Sequence, residues 1–129
     1  MAHILLVDDD ADLVARNRAA LEADGHTVTA ASTTTDGLSA ARRDTPDLVV
    51  LEALLDGATA GVDLARTLAH DFPALHLIML SRMDEVLSNQ ELASQDRDDG
   101  WMPVDRFMEK PVAPEVLVYE VDHLLPGAH

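Results

Sequence analysis

The chain has 129 residues, enough for one domain built around one continuous core. Hydrophobic residues make up 47%, which excludes a disordered chain, and no apolar run approaches the roughly 20 residues that a membrane span needs. Nine Lys and Arg against 24 Asp and Glu leave a formal charge of −15, a surface that repels nucleic acid and anionic membranes.

The first predicted element is a short apolar strand over residues 3–7, ending in Asp8-Asp9-Asp10. The start, Met1-Ala2-His3-Ile4, lacks the basic region and long apolar core of a signal peptide. A helix over 11–24 follows, with Leu13, Ala20 and Leu21 on one stripe and a stop signal at Asp24-Gly25. A strand at 27–31 and a helix at 34–44 come next, the helix ending before Pro46. The third strand, 47–52, is apolar until it ends in the carboxylate of Glu52. A helix over 62–71, with Leu64, Ala65 and Leu68 inward, stops ahead of Pro73. The fourth strand, 75–80, precedes Ser81, and the fifth, 105–109, precedes Lys110-Pro111. The last helix, 114–125, carries Pro114 in its first turn and puts Leu117, Val121, Leu124 and Leu125 on one side. Only Pro126-Gly127-Ala128-His129 remain, so residues 1–129 are read as one unit, with its core at about 3–125 and no output domain after it.

Strands that are apolar throughout, such as Leu48 to Leu51 and Leu77 to Leu80, indicate burial on both faces of a parallel sheet. Five of them alternating with helices predict a three-layer α/β/α, doubly wound, five-stranded parallel sheet with right-handed crossovers. In such sheets the working site lies at the carboxyl ends of the strands, where Asp8, Glu52, Ser81 and Lys110 all fall. Asp8 and Asp9 alternate in direction and, with a third carboxylate across the sheet, offer the oxygen ligands that Mg2+ takes. Asp10 suits the start of the first helix, where its charge meets the positive end of the dipole. Lys110 supplies a compact positive charge for a carboxylate or a phosphoryl oxygen. Pro111 aims that lysine and admits a cis bond. The six histidines show no metal-ligand spacing with one another and are assigned to the surface and to strand edges. Without cysteine there is no disulfide or thiolate site, which fits the cytoplasm.

The segments ILLVDDD, PDLVVLE, LIMLS and FMEKP, in that order and spacing, resemble the receiver domain of two-component response regulators, from residue 3 to about 125. The resemblance implies a flavodoxin-like, CheY-like fold. It also implies a Mg2+ site at Asp8, Asp9, Glu52 and the backbone carbonyl of Leu54. Glu52 stands at the phosphoacceptor position, Ser81 and Lys110 where the phosphoryl oxygens are held, and Phe107 where an aromatic rotates with the hydroxyl residue as a switch. The implied partners are a sensor histidine kinase or another signalling protein, met as a monomer or weak homodimer. Neither nucleic acid nor a membrane is bound directly.

The chain departs from that pattern in several places. The family has aspartate where this chain has Glu52, and the added methylene moves the carboxylate outward by about 1.5 Å, enough to spoil in-line phosphoryl transfer. Glu52 then acts as a partial, permanent imitation, with one negative charge against about two on a phosphoryl group. It is read as a natural phosphorylation-independent receiver, as an engineered Asp-to-Glu change in an ordinary one, or as a glutamate that is still phosphorylated. The loop Ala53 to Gly61 lacks the usual Pro-Gly-Met-Asp-Gly turn, and its Asp56 is assigned to a turn cap. Arg82 stands where a small residue normally leaves the pocket open, a gating candidate. The longer connection before the fifth strand holds a capping-box pattern at Ser88-Asn89-Gln90-Glu91. It also holds Trp101 and Met102, which either form a docking patch or fold back onto the core. The expected function is a stand-alone receiver that signals by binding a protein and is not an enzyme. The alternative from another class, a small Mg2+-dependent phosphatase or phosphotransferase, lacks an evident second nucleophile or general base.

Overall fold

In the computed structural model, which describes residues 2–55, 60–82 and 104–126, strands alternate with helices along the chain. They are β1 (His3–Val7), α1 (Ala11–Ala23), β2 (Thr27–Ala31), α2 (Thr34–Arg43), β3 (Leu48–Glu52), α3 (Ala60–Asp71), β4 (His76–Ser81), β5 (Arg106–Glu109) and α4 (Pro114–Leu124). The five strands form one parallel sheet in the order β2-β1-β3-β4-β5, so the doubly wound fold read from the sequence is the one observed.

Strand side chains alternate between two cores, as the period of two requires. Leu5, Val7, Val49, Leu51, Leu77 and Met79 face one side, where Ala40 and Ala41 of α2 and Leu64, Ala65 and Leu68 of α3 pack. Ile4, Leu6, Leu48, Val50, Ile78 and Leu80 face the other, covered by Leu21 of α1 and Leu117 and Val121 of α4. β3 is buried throughout, and β4 from Leu77 to Ser81, because helices cover both faces of the sheet.

The helix ends follow the local chemistry. Asp10 caps α1, its side chain accepting from the Leu13 N–H, and Thr33 caps α2 through the Asp36 N–H. After α1 the chain turns through Gly25 at φ +97°, with the Gly25 N–H donating to Glu22 and the His26 N–H to Leu21, a Schellman closure. Strand and helix bounds shift from the sequence reading by a residue or two. Asp47 falls just outside β3, where its carboxylate and backbone brace His3 at the sheet's opposite end. Ser81 moves the other way, becoming the last residue of β4.

One histidine departs from its surface assignment. His26 is buried, with 3% of its surface exposed. Its Nδ1 accepts from the Ala2 N–H at 3.1 Å, so the ring hydrogen sits on Nε2, which meets Asp122 of α4 at 2.9 Å and Asp24 at 3.2 Å. The ring thereby ties the start of β1, the end of α1 and the last helix together.

Candidate functional site

The register sets four reactive side chains along one edge. Val7 pairs with Leu51, Glu52 with Leu80 and Ser81 with Glu109, so β1, β3, β4 and β5 end nearly level. Asp8 follows β1, Glu52 closes β3, Ser81 closes β4 and Lys110 follows β5. They lie at the carboxyl ends, beside the point where the strand order reverses. The Lys110 N–H donates to the Ser81 carbonyl at 2.9 Å, which continues the β4–β5 ladder to the lysine, and the Lys110–Pro111 bond is cis.

At the centre is the Lys110 ammonium, donating to Glu52 Oε1 at 2.6 Å and to Asp8 Oδ2 at 3.0 Å. The remaining oxygens of both acids are also engaged. Asp8 Oδ1 accepts from the Asp10 N–H at 3.0 Å, and Glu52 Oε2 accepts from the Leu54 N–H at 3.2 Å. All three charged side chains are close to buried, at 12% exposure for Lys110, 6% for Asp8 and 11% for Glu52. Charge-assisted bonds in such a place are short and strong. Burial alone lowers the Lys110 pKa, but the hydrogen bonds and charges of Glu52 and Asp8 outweigh it and hold the ammonium above its usual range. Burial pushes the Asp8 carboxyl up, against the Asp10 N–H and Lys110, which pull it down. Ser81 is fully buried and, among the described residues, its Oγ has no hydrogen-bond partner.

The remaining sequence candidates are placed less centrally. Asp9 is exposed, so the two neighbouring acids do diverge, Asp8 into the pocket and Asp9 out of it. Phe107 is half-buried and packs against the core that holds Leu51 and Met79. Arg82 is exposed just past β4. Asp56, the capping-box segment, Trp101 and Met102 lie outside the described residues.

The donor set does not suit Mg2+ as it stands. An octahedral ion with ligands at about 2.0–2.1 Å brings its ligand oxygens within about 4.2 Å of one another. Among the described residues, Asp8, Asp9 and Glu52 do not bring one oxygen each within 4.8 Å of one another; Asp24, His26 and Asp122 alone form such a group. At that second cluster the tautomer opposes a cation, since a metal on Nε2 would need the ring hydrogen on Nδ1, where the Ala2 N–H already points.

Two contributors escaped the sequence reading. The Leu54 N–H, which that reading did not name, donates to Glu52. Gly61, read as loop, belongs to α3, and a Cβ there would run into the backbone carbonyls of Glu52 and Ala53. The glycine lets α3 begin directly against the end of β3. The Gly at this place in the loop was the only signal.

A family model described as the response regulator receiver domain matches residues 4–122. The chain is 30% identical to protein PilH of Pseudomonas aeruginosa over 98% of its own length and 100% of PilH. It is 31% identical to the probable transcriptional regulatory protein TcrX of Mycobacterium tuberculosis, over 95% of its length but 49% of TcrX. Among solved structures, the receiver domain of NtrX from Brucella abortus superposes with a TM-score of 0.76 at 24% identity, over 97% of this chain and 99% of that one. A beryllofluoride-activated DrrB receiver domain gives 0.73 at 25% identity, over 97% of each chain.

Proposed function

The chain belongs to the response regulator receiver domain family, and on that premise we propose that it signals with a fixed carboxylate in place of a phosphoryl group, acting through contacts with a signalling protein. Receiver domains are signalling modules that interact with histidine kinases and other signalling proteins, and they typically bind Mg2+ at an acidic pocket. The observation that carries the proposal is the engagement of both Glu52 oxygens: Oε1 holds the Lys110 ammonium and Oε2 holds the Leu54 N–H.

A phosphoryl group brings about two negative charges and three acceptor oxygens. Glu52 brings one charge and two oxygens, and these already sit on two N–H donors facing the pocket. The third donor, the Ser81 hydroxyl, stays buried and unpartnered. Imitation is therefore partial. The lysine and the β3 end are held as an anion would hold them, while Ser81 and the neighbouring aromatic switch position at Phe107 are not drawn in. The same contacts disfavour transfer to Glu52, because they hold its carboxylate against Lys110 and Leu54, and an attacking oxygen must be in line with the phosphorus. Retreat of the carboxylate by one methylene in Glu52→Asp frees the lysine and the amide for incoming oxygens.

Beryllofluoride, a phosphoryl mimic, tests this. In amide spectra of the labelled protein with Mg2+ and beryllofluoride, the resonances of Leu54, Ser81 and Arg82 stay in place, whereas in Glu52→Asp they shift and saturate. A saturable shift of the same resonances in the unaltered protein would refute the proposal.

A further inference from the structure

Lys110 lies where its charge meets both inward-facing acids at once, at 2.6 Å from Glu52 and 3.0 Å from Asp8. No oxygen of either acid is left without an N–H donor. Asp9, the remaining carboxylate, is turned to solvent and does not converge with them. A divalent ion entering here competes with the ammonium for the same two carboxylates, has to draw Asp9 inward and has to shed part of its own hydration, which Mg2+ does reluctantly. It must also tolerate a positive charge held within hydrogen-bond distance of its ligands, and that repulsion is barely screened in a buried pocket.

We infer that the Lys110 ammonium is the resident cation of this pocket, and that Mg2+ enters only by displacing it. The inference rests on the reading of Glu52 as a carboxylate engaged at both oxygens, because an aspartate one methylene shorter would not span the gap to the lysine in the same way. The pocket then has a fixed state that does not follow the concentration of divalent ions. Its geometry is set by covalently attached groups of both signs.

The test is a magnesium chloride titration through the millimolar range, read from the amide resonances of Asp8, Asp9, Asp10 and Leu54. In the unaltered protein these resonances stay in place. In Lys110→Met, whose side chain keeps the length and loses the charge, Asp8 and Glu52 face each other uncompensated and Mg2+ binds about tenfold or more tighter. If Lys110→Met does not melt cooperatively without the ion, its melting with and without Mg2+ reads the same binding. Glu52→Asp supplies a second variant in which the resonances shift. Saturable Mg2+ binding by the unaltered protein, at the concentrations that saturate Glu52→Asp, would overturn the inference. So would silence in both variants, since the exclusion would then owe nothing to Lys110. These outcomes stand apart from phosphoryl uptake: Mg2+ binding without uptake sinks only this inference, while uptake by the unaltered protein sinks the reading beneath it.

Discussion

Lys110, Asp8 and Glu52 depend on one another for their burial. Removing the lysine leaves two carboxylates without compensation, and breaking a buried ion pair from one side costs about 3–5 kcal/mol. Lys110→Met is therefore expected to lower stability by about 3 kcal/mol, measured by urea unfolding at neutral pH. Ser81→Ala removes a hydroxyl that has no partner, so it should change stability by less than about 1 kcal/mol. If Ser81→Ala costs as much as Lys110→Met, the hydroxyl is bonded and the account of the pocket is wrong. The pH dependence follows from the sign of the lysine shift. The Lys110 pKa is raised in the folded protein from an ordinary 10.5, so the folded state holds that proton more tightly. The corresponding stability is fully present below pH 10.5 and is lost as the pH rises through the raised value. Urea midpoints taken across that alkaline range should fall more in the unaltered protein than in Lys110→Met. These four residues were legible from their places at the strand ends. The N–H of Leu54 was not, because which backbone group faces a side chain depends on the path of the loop.

The elements reached the same arrangement from local signals. Asp10, Gly25 and Pro114 stand at helix ends for reasons of backbone conformation and capping that are visible in the sequence. Contacts between elements were less visible. His26 and Asp122 are 96 positions apart, and nothing in the spacing of either predicts that α4 is tied to the α1–β2 turn by one ring. Gly61 was hidden for the same reason, since what forbids a side chain there is the backbone of another element. Gly61→Ala should push α3 away from the end of β3 at a cost of about 1–3 kcal/mol, as overpacking does. The displacement should also move the Glu52 and Leu54 amide resonances. An alanine variant with unchanged urea midpoint and unchanged resonances at those two residues would show that the close approach is not needed.

Over the whole molecule, the alternation of fully apolar strands with one-sided helices determined the sheet, because a parallel sheet covered on both faces admits little else. The net charge of −15 acts on the same body as self-repulsion. Thermal midpoints should rise when salt is increased from low ionic strength to roughly 1 M, where the Debye length falls to about 3 Å. A flat or falling midpoint would mean that local ion pairs such as Arg106–Glu120 outweigh the overall repulsion. The substitution at the third strand end joins these levels: the fold brings a lysine and an amide to one point, and Glu52 fills both. The most direct test is the intact mass after incubation with acetyl phosphate and Mg2+, for the unaltered protein and for Glu52→Asp. The mass of the unaltered protein should not change, and the aspartate form should gain one phosphoryl group. A phosphoryl gain in the unaltered protein would contradict the account.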